Sequence, residues 1–407
     1  MSFWSQKDIK VVRSLASQIM ELATSDEYER RRRRWRDVNA LRKPDRAPVW
    51  CRPAGAWPEI LPDDTLQCQD PLCRSVERRF RMDLFKNSVG DDHIFPPYWP
   101  VPAVFDCDQP YTWGVETYVS EATTSDGGFR YTHAIKTDED FDKVAVPTYT
   151  YNPQATDDAL NKMHDLLGEV MPVKLTCRPP LGADHSIWLE RLRAMEDYLL
   201  DMALRPQRLH QLMAKFTEAS LRAIRAAEDS GVIAPDNDRG MFCSDPIGEP
   251  DAAGRLHVYN LWGGTNSQEF QSVSPAMTEE FLLNYITPIF QQYGLNYFGC
   301  CEDLTDKIDL VLRLPNLRIF VCSYWTDTTK VVEACQGDYC IMWRESAALV
   351  TLSDDLAPIR KHLEQDLKIL QGHPYQVVLR EIETLHGHPK RLHEWARIAI
   401  ELAEKYA

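Results

Sequence analysis

Short apolar runs and helical stretches alternate along nearly the whole of this 407-residue chain, and few folds accept that pattern. The runs lie at residues 47–51, 92–98, 171–177, 256–262, 293–304, 317–323, 338–343 and 375–381. Between them, apolar residues recur at helical spacing, as in Leu209, Leu212, Met213, Phe216 and Ile224. Continuous apolar strands mark a parallel sheet covered on both faces, because the crossovers that keep strands parallel lay helices over each face. About eight such strands alternating with helices match a closed (β/α)8 barrel of the TIM type. The expectation is a single α/β domain over residues 1–407, preceded by helices over 1–46. Val115, Thr117 and Val119, then Phe129, Tyr131, His133 and Ile135, alternate with period two around Gly127-Gly128. They predict a hairpin-like insertion over 101–152 at the barrel mouth.

In such a fold, ligand-binding groups collect beyond the carboxyl ends of the strands. Two runs end there in chemically capable residues: Cys300, Cys301 and Glu302 after one, and Cys322, Ser323 and Asp327 after the next. Two soft sulfurs beside a hard carboxylate suit zinc. Successive strand side chains alternate faces, so both cysteines reach one pocket only if a turn begins at that point. No Cys-x-x-Cys or His-x-x-x-His spacing accompanies them. Asp327 reads equally as a general acid or base and as a helix cap. Arg344 and Glu345 would either orient a polar ligand or brace a loop. Tyr259, Trp262, Trp325 and Trp343 stand at run ends and would line an aromatic pocket mouth where they do not pack the core.

A formal net charge of -15 argues against nucleic acid and anionic membranes as partners, since both require a clustered basic field. The arginine-rich stretch at 30–36 reads as a solvated helix face paired with acidic neighbours. Eleven cysteines without disulfide-framework spacing, and no signal-like N-terminus, point to a reducing cytoplasm. No apolar run reaches the length needed to cross a bilayer.

Pro48-Val49-Trp50 leading into Arg52-x-Ala54-Gly55 is similar to the N-terminal signature of the uroporphyrinogen decarboxylase superfamily, whose members are single α/β barrels. In the true decarboxylases two arginines of that signature hold substrate carboxylates; Arg52 matches the first and Ala56 falls on the second. Their catalytic aspartate follows an Ile-Phe strand, whereas here Pro96-Pro97 follow Ile94-Phe95. The resemblance thus leads away from porphyrinogen decarboxylation and toward the corrinoid-linked methyltransferases of the same superfamily. Phe298-Gly299-Cys300-Cys301-Glu302 resembles the segment carrying their His-x-Cys zinc pair, with Phe298 at the histidine position. Their third ligand, a cysteine after the last strand, gives way here to Glu381-Ile382-Glu383. A zinc site would therefore draw on Cys300 or Cys301 with Glu381 or Glu383.

The activity this implies is methyl transfer from a small donor, methoxylated or aromatic, to a corrinoid carried by a separate protein. Glu302, Asp327 and Arg52 would be its catalytic groups. Tyr259, Trp262, Trp325, Trp343, Arg344 and Glu345 would contact substrate, and a homodimer is the assembly to expect. Two alternatives stand beside it: a lyase acting on a carboxylated small molecule held by Arg52, and a ligand-binding barrel without catalysis.

Overall fold

Six strands hydrogen-bond side by side into one curled parallel sheet, and two more pair with each other apart from it. In the computed structural model, which describes residues 4–120, 130–235, 237–352 and 355–407, these are β1 (Val49–Pro53), β2 (Trp99–Pro102), β3 (Val173–Thr176), β4 (Trp262–Thr265), β5 (Leu295–Phe298), β6 (Leu317–Cys322), β7 (Cys340–Glu345) and β8 (Tyr375–Ile382). The larger sheet runs β1-β8-β7-β6-β5-β4, and β2 pairs in parallel with β3. The architecture is mixed α/β with eight parallel strands in two sheets. No ladder joins β1 to β2 or β3 to β4 among the described residues, so the closed ring expected from the strand count is interrupted twice.

The first interruption has a clear chemical cause. Residues 92–98, expected as the second strand, form none. Pro96 and Pro97 lack the N–H that a ladder needs, and the preceding carboxylates already occupy the edge of β1. Val49 N–H donates to Asp92 Oδ2 at 2.8 Å and Cys51 N–H to Asp91 Oδ2 at 2.8 Å. Both aspartates are buried and charge-paired, Asp92 with Arg34 and Arg46, and Asp91 with Lys86. The second strand instead starts at Trp99. At the other interruption, Ala234 N–H donates to the Cys177 carbonyl at 3.4 Å, and Arg178 Nη2 donates to the Trp262 carbonyl at 3.0 Å.

Strand alternation divides the apolar core into two layers. Trp262, Ile319, Val321, Met342 and Val378 point inward and pack with Val12, Trp35 and Val38 of the N-terminal helices α1 (Gln6–Ala23) and α2 (Asp26–Asn39). Phe298, Phe320, Cys322, Ile341, Trp343, Val377 and Leu379 point outward. They meet Phe216 of α3 (Pro206–Ser230), Val331 of α4 (Thr328–Cys335), Leu363 and Leu367 of α5 (Ala357–Leu370), and Trp395 and Ile398 of α6 (Lys390–Lys405).

The arginines of α2 do pair with acids, among them Glu27, Glu29 and Asp37. They are not all solvated, however: Arg31, Arg32 and Arg34 are buried, and Arg32 Nη2 donates to the carbonyls of Ala23 and Phe95. Within the 101–152 region, Tyr118–Ser120 pairs antiparallel with Arg130–Thr132. Gly127, Gly128 and Phe129 of the expected hairpin lie outside the described residues. No described helix is long and apolar enough to cross a membrane.

Candidate functional site

The tandem cysteines share a site because β5 ends just before them. Gly299 takes φ +113°, and a Cβ there would press on the Val321 side chain at 2.9 Å, so this turn is open to glycine alone. Cys300 and Cys301 then lie in a loop, where strand alternation no longer separates them, and their sulfurs are 3.7 Å apart. Glu302 pins that loop. It is fully buried, and its carboxylate accepts from the N–H groups of Cys300 (2.8 Å) and Ser267 (2.7 Å) and from the Ser267 hydroxyl (3.1 Å). Its carbonyl accepts from Ser323 Oγ at 2.7 Å, tying the loop to the end of β6. The carboxylate expected to act chemically is thereby committed to holding the thiols in place.

Arg344 reaches them from β7. Its Nη1 lies 3.4 Å from both sulfurs, and its Nη2 donates to Glu381 Oε1 at 3.2 Å. Glu381 arrives from the end of β8 by a backbone irregularity. Alternation places Val378 and Arg380 inward and would send residue 381 outward. Glu381 instead adopts φ +57°, an uncommon conformation for a residue with a side chain, where the β1–β8 register slips between Cys51 and Pro53. The sulfurs and a Glu381 oxygen consequently all lie within 4.8 Å of one another.

Electrostatics at the cluster favour one shared thiolate. The hydrogen bond from Cys301 brings the Cys300 thiol down to about 6 against the opposing effect of burial, with the charge of Arg344 adding to it. Cys301 is driven upward by the same hydrogen bond, by burial and by its neighbour's charge. Two adjacent sulfurs at this separation do not both ionise readily.

The donors fit zinc. At a Zn–S distance of about 2.3 Å, a tetrahedral site separates its sulfurs by about 3.8 Å, close to the 3.7 Å found. The two thiols and Glu381 supply three positions and leave a fourth open. Arg344, whose guanidinium donates to the same three groups, is the cation that now balances them and would have to yield to a metal.

Arg380 and Tyr297 complete the inward surface and were missed, although both stand in apolar runs where a polar side chain calls for a reason. Burial lowers Arg380, with Arg344 adding repulsion. Burial raises the Tyr297 phenol, which also feels Asp184, Arg178, Arg380 and Cys300. Asp184 is raised by burial as well, and accepts from Thr265 Oγ1 at 3.2 Å.

The remaining expected residues disperse. Arg52 is exposed and borders a cleft of about 460 Å³ that Trp50, Trp57, Lys86, His93 and Phe242 also line. Glu383 is exposed and packs against Gly55, where a Cβ would overlap its carboxylate. Trp343 and Glu345 face outward toward α5, Glu345 accepting from His362 Nδ1 at 2.8 Å and Trp343 packing on the His362 ring. Residues adjacent to Arg344 could not share its face. Tyr259 and Trp262 lie at the amino end of β4, away from the thiols, because that strand begins where it was expected to stop. Val258–Asn260, which holds Tyr259, is a 3-10 turn ahead of that strand. Asp327 caps α4, accepting from the N–H groups of Thr329 and Lys330, and Trp325 stands exposed on the same rim.

No protein-family model and no curated protein matches this sequence. Among solved structures, a putative vitamin-B12 independent methionine synthase from Listeria monocytogenes aligns over 63% of this chain and 71% of its own, with 12% identity and a TM-score of 0.33. A methyltransferase from Methanosarcina mazei aligns over 92% of this chain and 98% of its own, with 12% identity and a TM-score of 0.55. This chain therefore shares the fold of that methyltransferase along nearly its whole length.

Proposed function

We propose that the protein is a methyltransferase of the α/β-barrel type, in which Cys300, Cys301 and Glu381 hold zinc and a small methyl donor binds at the carboxyl ends of the strands. The convergence of two sulfurs and one carboxylate, from the ends of β5 and β8, carries this reading. In it, β2 and β3 are the remaining staves of an eight-stranded barrel. Zinc, when bound, supplies Lewis acidity at an open coordination position. Glu302 fixes the loop that presents the thiols, and Arg344 holds the Glu381 carboxylate in place until it passes to the metal. Asp184, kept protonated to higher pH by burial, holds a proton beside Tyr297. The donor in this reading is a small methoxylated aromatic molecule, and a corrinoid on a separate protein is the acceptor.

Metal analysis of the purified protein tests the proposal. Stoichiometric zinc is expected, lost in Cys301→Ala and retained in Cys322→Ala, whose sulfur is buried on the outer layer. Zinc kept in both variants, or absent from the wild type, overturns it.

One observation favours a second reading, a lyase acting on a carboxylated molecule. The Nε atom of Arg344 is a buried donor with no hydrogen-bond acceptor among the described residues, whereas Arg380 Nε lies 3.3 Å from Glu381 Oε1; burying such a donor unpaired costs about 1–3 kcal/mol. A substrate carboxylate accepting from Arg344 Nε would relieve that cost. Carbon dioxide release by zinc-free protein would select this reading over the first.

A further inference from the structure

We propose that Cys300 and Cys301 form a reversible disulfide with each other by exchange with a small-molecule disulfide of the glutathione type. Its effect on metal binding rests on the metal reading of the same pair, but the thiol chemistry itself does not.

The placement of the sulfurs carries the inference. They are in contact at 3.7 Å, and both residues are half-buried, within reach of a small reagent. Eight of the remaining nine cysteines are buried, and Cys107 is exposed. The pair sits in a loop outside the β5 ladder, so bringing the sulfurs to about 2.05 Å breaks no strand hydrogen bond. Arg344 places positive charge beside whichever sulfur attacks.

Each bond change balances. The sulfur of Cys300 attacks one sulfur of RS–SR, the S–S bond breaks and the first RS⁻ leaves. Cys301 then gives its proton to solvent, and its sulfur displaces the second RS⁻ from Cys300. Two protein thiols lose two electrons and two protons, and one small disulfide is reduced to two RSH.

The product is easily reversed. Adjacent Cα atoms stand about 3.8 Å apart across a trans peptide, below the roughly 4.4–6.8 Å that disulfides usually span. The resulting ring is strained, and strained disulfides are the readily reduced ones. While closed, neither sulfur is a thiolate, so the pair cannot serve a soft cation.

The test uses the full chain, stripped of metal by chelation, treated with oxidised glutathione, alkylated and analysed by peptide mass spectrometry. In the wild type, the peptide holding both cysteines should lose two hydrogens and take up no alkyl label. Dithiothreitol should then restore two labels. In Cys301→Ser the first step should stop as a glutathione adduct on Cys300. Two labels on the treated wild type, or a lasting glutathione adduct there, overturns the proposal. Zinc content of untreated protein is read separately: zinc without ring closure removes this inference alone, and ring closure without zinc removes the metal reading alone.

Discussion

Single side chains at the site divide into those that supply chemistry and those that hold it. Glu302, the acid beside the thiols, was an obvious candidate for catalysis in the sequence, yet one of its oxygens is taken by the loop it anchors and the other by Ser267 after β4. Replacing it with alanine leaves the buried N–H groups of Cys300 and Ser267 without acceptors. Glu302→Ala should destabilise the protein by about 2–3 kcal/mol in urea unfolding. Cys300 behaves oppositely. In metal-free protein, alkylation at Cys300 should reach half its plateau rate near pH 6, following the lowered thiol, and Arg344→Met should move that midpoint upward. An unchanged midpoint would mean that Arg344 does not act on the sulfur. The cysteines and Arg344 were legible from residue type and position. Glu381 was legible only as one of a pair with Glu383, because the choice between them depends on a left-handed backbone at Glu381 that residue type does not announce.

Elements show the same division between pattern and exception. The apolar runs that became β6, β7 and β8 carry continuous Val, Ile, Leu and aromatic residues, and the strands lie where those runs are. Residues 92–98 were also expected as a strand, but the deciding groups were Asp91 and Asp92 at its start. Their carboxylates bond to β1 across the chain, an interaction with no periodicity to detect. Asp92→Ala would leave Arg34 and Arg46 buried without this partner, at a cost of about 3–5 kcal/mol, measurable as a lowered urea midpoint. The contact between β7 and α5 has a pH signature. Burial opposes a charged His362, but the hydrogen bond and charge of Glu345, with Asp366, raise its pKa above the ordinary value. Its stabilising contribution is therefore full below about pH 6.5 and lost as pH rises through the raised value. The melting-temperature deficit of His362→Gln should shrink over that interval; a deficit constant with pH would rule the ion pair out.

Across the whole molecule, the count of eight parallel strands was legible, and so was their coverage by helices. The division into two sheets was not, since strand pairing depends on which groups reach an edge first. That division predicts separate exchange behaviour. Backbone amides of β4 to β8 should exchange as one slow group, and those of β2 and β3 as a faster one; a single common rate would refute it. Every donor of the thiol cluster is mounted on the six-strand section: Cys300 and Cys301 after β5, Arg344 on β7 and Glu381 on β8. The two seams thus act as expansion joints: any loosening of the smaller panel would leave the mutual spacing of the reactive groups unchanged, since all of them ride on the larger one.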